Sequence, residues 1–382
     1  MICDHGEHSK NVRLISKTRI ASAGAGQIIV DNGVVYIAHM HTEGITLVDV
    51  KDPLAPKVLS KLEAPMKGHS HSHKVQVSGD LMVVNNERYK KSDPWSAGVR
   101  VYDIADKTAP REISFWETEG VGVHRMWFVD GRYAHLTSSM RGFTDQIYIV
   151  LDLKDPTRPE VVSRWWIPGM WEEGGEVPDW PIERKVRAHG PAYVLGNRAY
   201  LGWTGGGLTI LDISDLSKPS LVSSFNITPP FGGYTHTAMP LPERGLMVVT
   251  DESVKDMQDE DKYTWLFDIR CEKNPIPIAV VSVESEGFFQ KGGRFGPHNV
   301  HEHRPGSKID DQYIYVTYFN GGLRIIDIRD RFRPVESGYF IPETPAGQDV
   351  VQTNDVFVDA DGLIYIVDRL SGDLWVLEHT PQ

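Results

Sequence analysis

Hydrophobic and polar positions alternate in short runs along nearly the whole chain, and the runs recur in a fixed order. One phrase returns six times: ITLVDVKDPLAPKVLSKL, VRVYDIADKTAPREISFW, IYIVLDLKDPTRPEVVSRW, LTILDISDLSKPSLVSSF, TWLFDIRCEKNPIPIAVVS and LRIIDIRDRFRPVESGYF. Each is an apolar strand ending in aspartate, then a polar turn with proline, then a second alternating strand. The aspartates are Asp49, Asp103, Asp152, Asp212, Asp268 and Asp327, and DLWVLEHTPQ is a partial seventh copy with Glu378 in the aspartate's place. The other half of the unit repeats too. HKVQVSGDLMVVNNE, HRMWFVDGRYAHLTS, HGPAYVLGNRAYLGW and NDVFVDADGLIYIVD each read as strand, glycine turn, strand. Alternation at period two marks the strands, and the Asp-Gly and Ser-Gly pairs mark tight turns. No segment sustains a helical period.

Repeats of roughly fifty residues are too long for a solenoid coil and suit a four-stranded propeller blade. The seventh copy stops after three strands. NVRLISKTRI, near the N-terminus, resembles PKVLSKLEAP, the fourth strand of the first full unit. The N-terminal strand is therefore expected to complete the last blade and close the ring, which removes free sheet edges. The expected fold is all-β, a seven-bladed β-propeller spanning residues 1–382 as one domain.

The L-V-x-V-D strand followed by D-P-x-x-P resembles the LVIVD-repeat family of propellers, over nearly the whole chain. That resemblance implies the fold and no single chemistry. In outline the chain is also similar to the selenium-binding-protein propellers, a likeness that connects with metal and sulfur oxidation but carries no catalytic motif residue by residue.

Composition narrows the function. The chain has 382 residues, 40% of them hydrophobic, with 40 Lys and Arg against 52 Asp and Glu, for a formal net charge of −12. That balance argues against nucleic acid or an anionic membrane as partner. No apolar run approaches the roughly 18 residues of a membrane helix. The opening MICDHGEHSK has no apolar signal region, and Cys3 and Cys271 form no CxxC, so a reduced, cytoplasmic setting is expected.

Aligned on the glycine turns, the residues that open the first strand of each unit are Gln27, His73, His124, His189, His236, His298 and Asn354. Five are histidine in a chain with 15. First strands line a propeller's channel, so these side chains should converge at one mouth. Gathered neutral imidazoles suit a transition metal, with Fe or Cu favoured and Zn or Mn as alternatives. The competing reading is a repeated histidine that only hydrogen-bonds within each blade. The loops at the same mouth bring Glu87, Asp251, Tyr234 and Arg369 as candidate catalytic groups. Arg88, His39, His41 and His71 join them as candidate substrate contacts. Glu252 and Arg294 lie in the same loops. His5, His8, His135, His301, His303 and His379 read as bystanders or structural groups.

One insertion, residues 165–188, is rich in aromatic residues, with Trp165, Trp166, Trp171 and Trp180. It ends at His189. It is expected either to roof the mouth, with Trp171 and Trp180 on the substrate and one of Glu172, Glu173, Glu176 or Asp179 near the centre, or to form a homodimer contact. No P-loop, GxSxG, HExxH or dinucleotide fingerprint is present. The leading expectation is a metal-dependent oxidoreductase acting on a small, aromatic organic substrate. Carotenoid-cleaving oxygenases are similar in placing a four-histidine iron on a propeller axis, a likeness of fold only. The alternatives are a Zn or Mn lyase or hydrolase with Glu87, Asp251 or a lid carboxylate as base, and a binding scaffold with a structural histidine ring.

Overall fold

The computed structural model describes residues 8–22, 24–40, 44–64, 70–181, 183–255, 261–281, 283 and 287–381. They form seven four-stranded antiparallel sheets. Among the described residues there is no α-helix, only two three-residue 3-10 turns, Pro242–Arg244 and Phe289–Lys291. Among the described residues, no helix is long and apolar enough to cross a membrane.

The first blade sets the plan, with strands Ala25–Asp31, Val34–His39, Ile45–Asp49 and Lys57–Leu62 running from the axis outward. The apolar faces of neighbouring blades pack together, and the central strands are buried on both faces. That burial is why their apolar runs are nearly continuous, whereas the fourth strands alternate. Each fourth strand carries one bulged residue against the third strand: Leu59, Ile113, Val162, Val222, Ile278, Ser337 and Ile15. A bulge sharpens the local twist, and its repetition gives every blade the same curl.

The repeated aspartates have a local purpose. Asp49, Asp103, Asp152, Asp212, Asp268 and Asp327 each accept the backbone N–H two residues on, at 2.8–3.0 Å. This is the Asx turn that lets the chain leave the third strand. The most recurrent motif of the sequence thus builds the fold at the blade edge and leaves the mouth to other residues.

Closure is as expected. Val12–Arg19 pairs antiparallel with Asp373–His379, completing the sheet that holds Thr353–Val358 and Leu363–Asp368. The N-terminus does more than that. His8–Lys10 pairs with Val335–Ile341 as the outer strand of the sixth sheet. That sheet's innermost segment makes the bridge Val300↔Val316 and is not a regular strand, so His8–Lys10 adds a strand outside Val335–Ile341.

Candidate metal and substrate site

The ring of residues at the mouth is built by a second set of bulges. In the first strands, register shifts leave His124, His236 and Asn354 unpaired against their neighbours. A bulge turns two successive side chains toward the same side. His73 and Lys74, adjacent in sequence just before the strand Val75–Ser78, both line the central cavity. The shift in the first blade falls on Gly26, not Gln27. The ring position there is therefore Gly26, and the assignment of Gln27 was one residue out. The reason is steric. A Cβ on Gly26 would lie 2.5 Å from the Cβ of His73 and 2.9 Å from its Cδ2, so His73 fills the place of the missing side chain. Gln27 belongs to the layer below, where it donates to Glu302 at 3.3 Å and accepts the Val75 N–H at 3.0 Å. Gln76 and Arg125 also donate to Glu302, at 3.0 and 2.9 Å, which fills the channel beneath the ring with paired polar groups.

Above this layer lies a cavity of about 990 Å³. His71, His73, His124, His189 and His298 line it, with Glu87, Glu252, Tyr234, Arg88 and Arg369. His236 is buried immediately behind, its ring centroid 5.4 Å from that of His189 and 4.9 Å from that of His298. The five ring histidines are thus brought to one mouth. Three of them fall in two groups, each organised by a glutamate: His124 with His71 and Glu87 in one, His189 and His236 with Glu252 in the other, while His73 and His298 belong to neither. Neither group holds more than two of the five.

The two glutamates occupy equivalent positions, each the residue after the second strand of its blade (Leu81–Asn86 and Leu246–Asp251). Glu87 is saturated. It accepts Nδ1–H of His71 at 2.9 Å, Nδ1–H of His124 at 2.9 Å and the Gln146 amide at 3.0 Å. Burial pushes its carboxyl pKa up, but the attraction of His124 and these hydrogen bonds outweigh burial and hold it below the usual range. Proton donation from Nδ1 leaves each imidazole with its lone pair on Nε2.

Glu252 is met by the opposite nitrogens. Nε2 of His189, His236 and His298 lie 3.1, 4.0 and 3.6 Å from its oxygens, and Arg294 donates to it at 3.2 Å. Burial lowers the pKa of all three imidazoles well below the ordinary value, so they are neutral near pH 7. His298 Nδ1 faces the Asn354 carbonyl at 2.9 Å, and a carbonyl can only accept. The neutral ring must therefore carry its proton on Nδ1, which leaves the Nε2 lone pair facing a carboxylate. His236 Nδ1 lies 3.0 Å from the Thr237 hydroxyl, and His189 Nδ1 is buried without a partner. His298 and His236, held through Nδ1 with Nε2 turned inward, have the posture of metal-ligating histidines.

Several candidates take other roles. Asp251 is fully buried, does not line the cavity, and accepts Trp265 Nε1–H at 2.7 Å and Thr235 Oγ1–H at 3.4 Å. Its pKa is raised to about 6 by burial. Strand alternation turns Asp251 into the blade and its neighbour Glu252 onto the axis, so the carboxylate at the mouth is the one next door. His39 is also buried away from the cavity, bonded to Thr46 Oγ1 at 2.8 Å. His41 lies outside the described residues. Arg88 does line the cavity, but donates to the carbonyls of Trp95 and Gly120, which fixes it as a loop clamp. Tyr234 lines the cavity, accepts Arg187 at 3.0 Å and sets its ring edge-on to His189 at 5.7 Å.

The tryptophan insertion is not the roof. Trp166 and Trp171 pack on Phe143 of the third blade, and Trp165 packs edge-on to Trp203 of the fourth. Glu176 ties the loop to itself by accepting Trp166 Nε1–H at 3.2 Å and the Gly169 N–H at 2.7 Å. Neither Trp171 nor Trp180 lines the cavity, and Trp171 is 40% exposed. Among the described residues of the insertion, Arg187, just before His189, is the one that lines the cavity. The segments that lie over the mouth are Gln290–Arg294, from the extension before His298, and the loop around Gln348–Val350.

Fold and site together define a seven-bladed β-propeller with a cavity of histidines and carboxylates at one mouth of its channel. The LVIVD repeat family model matches residues 192–227 and 308–340, in the fourth and sixth blades, which is consistent with an LVIVD-repeat propeller. No curated protein matches the sequence. Among solved structures, the chain is similar to the β-propeller domain of Cps50 (Swd1) from Myceliophteria thermophila. That domain is 13% identical with a TM-score of 0.62, over 94% of this chain and 99% of that one. It is also similar to the computationally designed Ika8 protein, 11% identical with a TM-score of 0.53, over 97% of this chain and 92% of that one. These likenesses are of fold alone.

Proposed function

We propose that the protein is a metal-dependent oxidoreductase whose ion is held by His189, His236 and Glu252, beside His298. The observation that carries this reading is the His298 contact. A lone pair and a carboxylate 3.6 Å apart in a buried site repel each other unless a cation lies between them. Donors around an ion with bonds of about 2.1 Å stand about 3 Å apart when adjacent and about 4 Å when opposite. The separations at Glu252 run from 3.1 to 4.0 Å. Two histidines and one carboxylate with open positions suit Fe(II) over Mg or Ca, and such an ion would supply redox chemistry on a small organic substrate in the cavity.

The chain's own groups supply proton handling. Glu87 fixes the His71 tautomer with Nε2 unprotonated, in a partly buried ring that lines the cavity. That makes His71 a general base and Glu87 its positioning residue. This pair also favours the second reading, a Zn or Mn lyase or hydrolase, in which His71 would take the proton and no electron would move. The test is elemental analysis of the purified protein, joined to dioxygen uptake with a panel of aromatic acids. The oxidoreductase reading expects iron near one per chain and uptake that a chelator stops and Fe(II) restores. Zinc or manganese with no uptake favours the second reading, and no transition metal at all overturns both.

A further inference from the structure

The cavity carries an imbalance of charge that the protein itself does not settle. Six cationic side chains line it, Lys74, Arg88, Arg187, Lys291, Arg294 and Arg369, against three carboxylates, Glu87, Glu252 and Asp349. Glu87 is taken by imidazoles and Gln146, and Glu252 by imidazoles and Arg294. The remaining cations make no direct ion pair among the described residues, although Asp355 and Glu252 attract Lys74, and Glu252 and Asp368 attract Arg369, from further off. Arg369 donates through Nε to the Asn354 side-chain oxygen and lies 4.9 Å over the Phe319 ring, while its terminal amino groups have no acceptor among the described residues. Arg187 meets the Tyr234 hydroxyl, and its Nε is buried without a partner. Lys74 is 1% exposed and opens onto the cavity, and burial lowers its ammonium pKa well below the ordinary lysine value, so a charge there needs an anion beside it. Buried cations without counter-ions are costly, and a chain of net charge −12 has no general surplus of them. Their concentration here points to an anionic guest.

The position of Arg369 says where the anion sits. Phe319 is a shared platform: the His298 ring stacks on it at 4.7 Å and the Arg369 guanidinium lies over it at 4.9 Å. The charge anchor and the histidine beside the Glu252 group are thus fixed by one side chain. Phe319 itself has a left-handed backbone, φ 48°, and its carbonyl accepts the Thr353 N–H at 3.0 Å, which locks it to the next blade.

We propose that the cavity binds an organic carboxylate, its carboxylate clasped by the open fork of Arg369 with Lys74 beneath, beside the Glu252 group. A planar guanidinium fork matches a carboxylate in two parallel hydrogen bonds. The rest of the substrate lies toward Tyr89 and Tyr234, the aromatic side chains of the cavity wall. This names the substrate class for the metal reading above and rests on it only in taking the cavity as the reaction chamber.

The experiment is calorimetric titration of the purified protein, with and without prior chelation, using 2-naphthoate, its neutral isostere 2-naphthamide, and inorganic phosphate. The expected result is saturable binding of 2-naphthoate, retained after chelation, with the amide and phosphate at least about tenfold weaker. Arg369→Gln should weaken 2-naphthoate about 10- to 100-fold, the worth of a charge-assisted pair, with melting temperature and metal content kept. If that variant fails to fold, Arg187→Gln is the second, with a smaller loss expected. Equal binding of acid and amide, phosphate binding in preference to 2-naphthoate, no binding of any of them, or no change in either variant overturns the proposal. Binding of 2-naphthoate by protein that never contains metal leaves this inference standing and removes the metal reading. Metal without 2-naphthoate binding does the reverse.

Discussion

Glu87 and Glu252 are the same residue type at the same blade position, each bonded to histidines at one mouth, yet their surroundings differ in a way that separates two chemistries. Around Glu87 both rings present Nδ1, a side-chain amide completes the shell, and every near contact is a donated hydrogen bond. Around Glu252 three rings present Nε2, and for His298 the donor chemistry is already spent on the Asn354 carbonyl. The first arrangement is complete without a guest. The second leaves an unshared lone pair against a charge. Which ring nitrogen faces the carboxylate matters more than how many histidines are near it.

The largest expected effect treats both groups alike. Residues 8–20 supply the outer strands of two sheets, so deleting residues 1–20 opens the ring and exposes two edges. Loss of the cooperative thermal transition is the expected outcome, and a deletion variant with unchanged melting temperature contradicts the closure.

Acid should come next. The pKa values of His73, His124, His189, His236 and His298 are all lowered on folding, chiefly by burial. The unfolded chain takes up protons on these rings near pH 6.5 and the native state does not, so stability is present above that pH and lost as pH falls through it. Asp251 and Asp368, raised to about 6, and Asp355, raised to about 7, act with the opposite sign and soften the loss. Urea midpoints measured from pH 7.5 to 5 should fall, and a rise toward pH 5 would show that the rings are not buried and neutral. A bound cation at Glu252 should steepen the fall, because protons compete for the same Nε2 atoms. The Glu87 group, without an ion, should not respond to metal.

Smaller effects test the neighbours. Asp251→Asn keeps an acceptor for Trp265 and should cost at most about 1 kcal/mol with metal content unchanged, since its side chain is turned into the blade. A loss of metal in that variant would move the site one residue back. Trp171→Ala should change neither metal content nor substrate binding, because the exposed ring packs on Phe143 and not on the cavity. A change of oligomeric mass in this variant would identify the insertion as a subunit contact.

Much of this was legible in the sequence, for physical reasons that also explain the failures. The blades were readable because strand alternation and Asx turns are local and repeat with each unit. The ring histidines were readable because the unit places one first strand per blade on the axis. The errors arose where a side chain's direction depends on contacts from another blade. Gln27 was aligned one residue late because a bulge at Gly26, filled by His73, leaves no periodic trace. Asp251 and Glu252 are not told apart by the sequence, because the parity of a strand end cannot be counted through a loop. Glycine turns of unequal length hid that Glu87 and Glu252 are equivalent, although counting from the end of each second strand would have found it. The tryptophans suggested a roof by composition, but Glu176 folds their loop back on itself, a tie visible only in three dimensions.

The central claim is that the Glu252 group, and not the Glu87 group, holds the ion. It is tested most directly by anaerobic titration of Fe(II) into metal-free wild-type protein, Glu252→Gln and Glu87→Gln. The expected result is one tight site per chain in the wild type and in Glu87→Gln, and affinity reduced by more than about 100-fold in Glu252→Gln, as for loss of a direct ligand. Tight binding retained in Glu252→Gln, or lost in Glu87→Gln, would contradict the account.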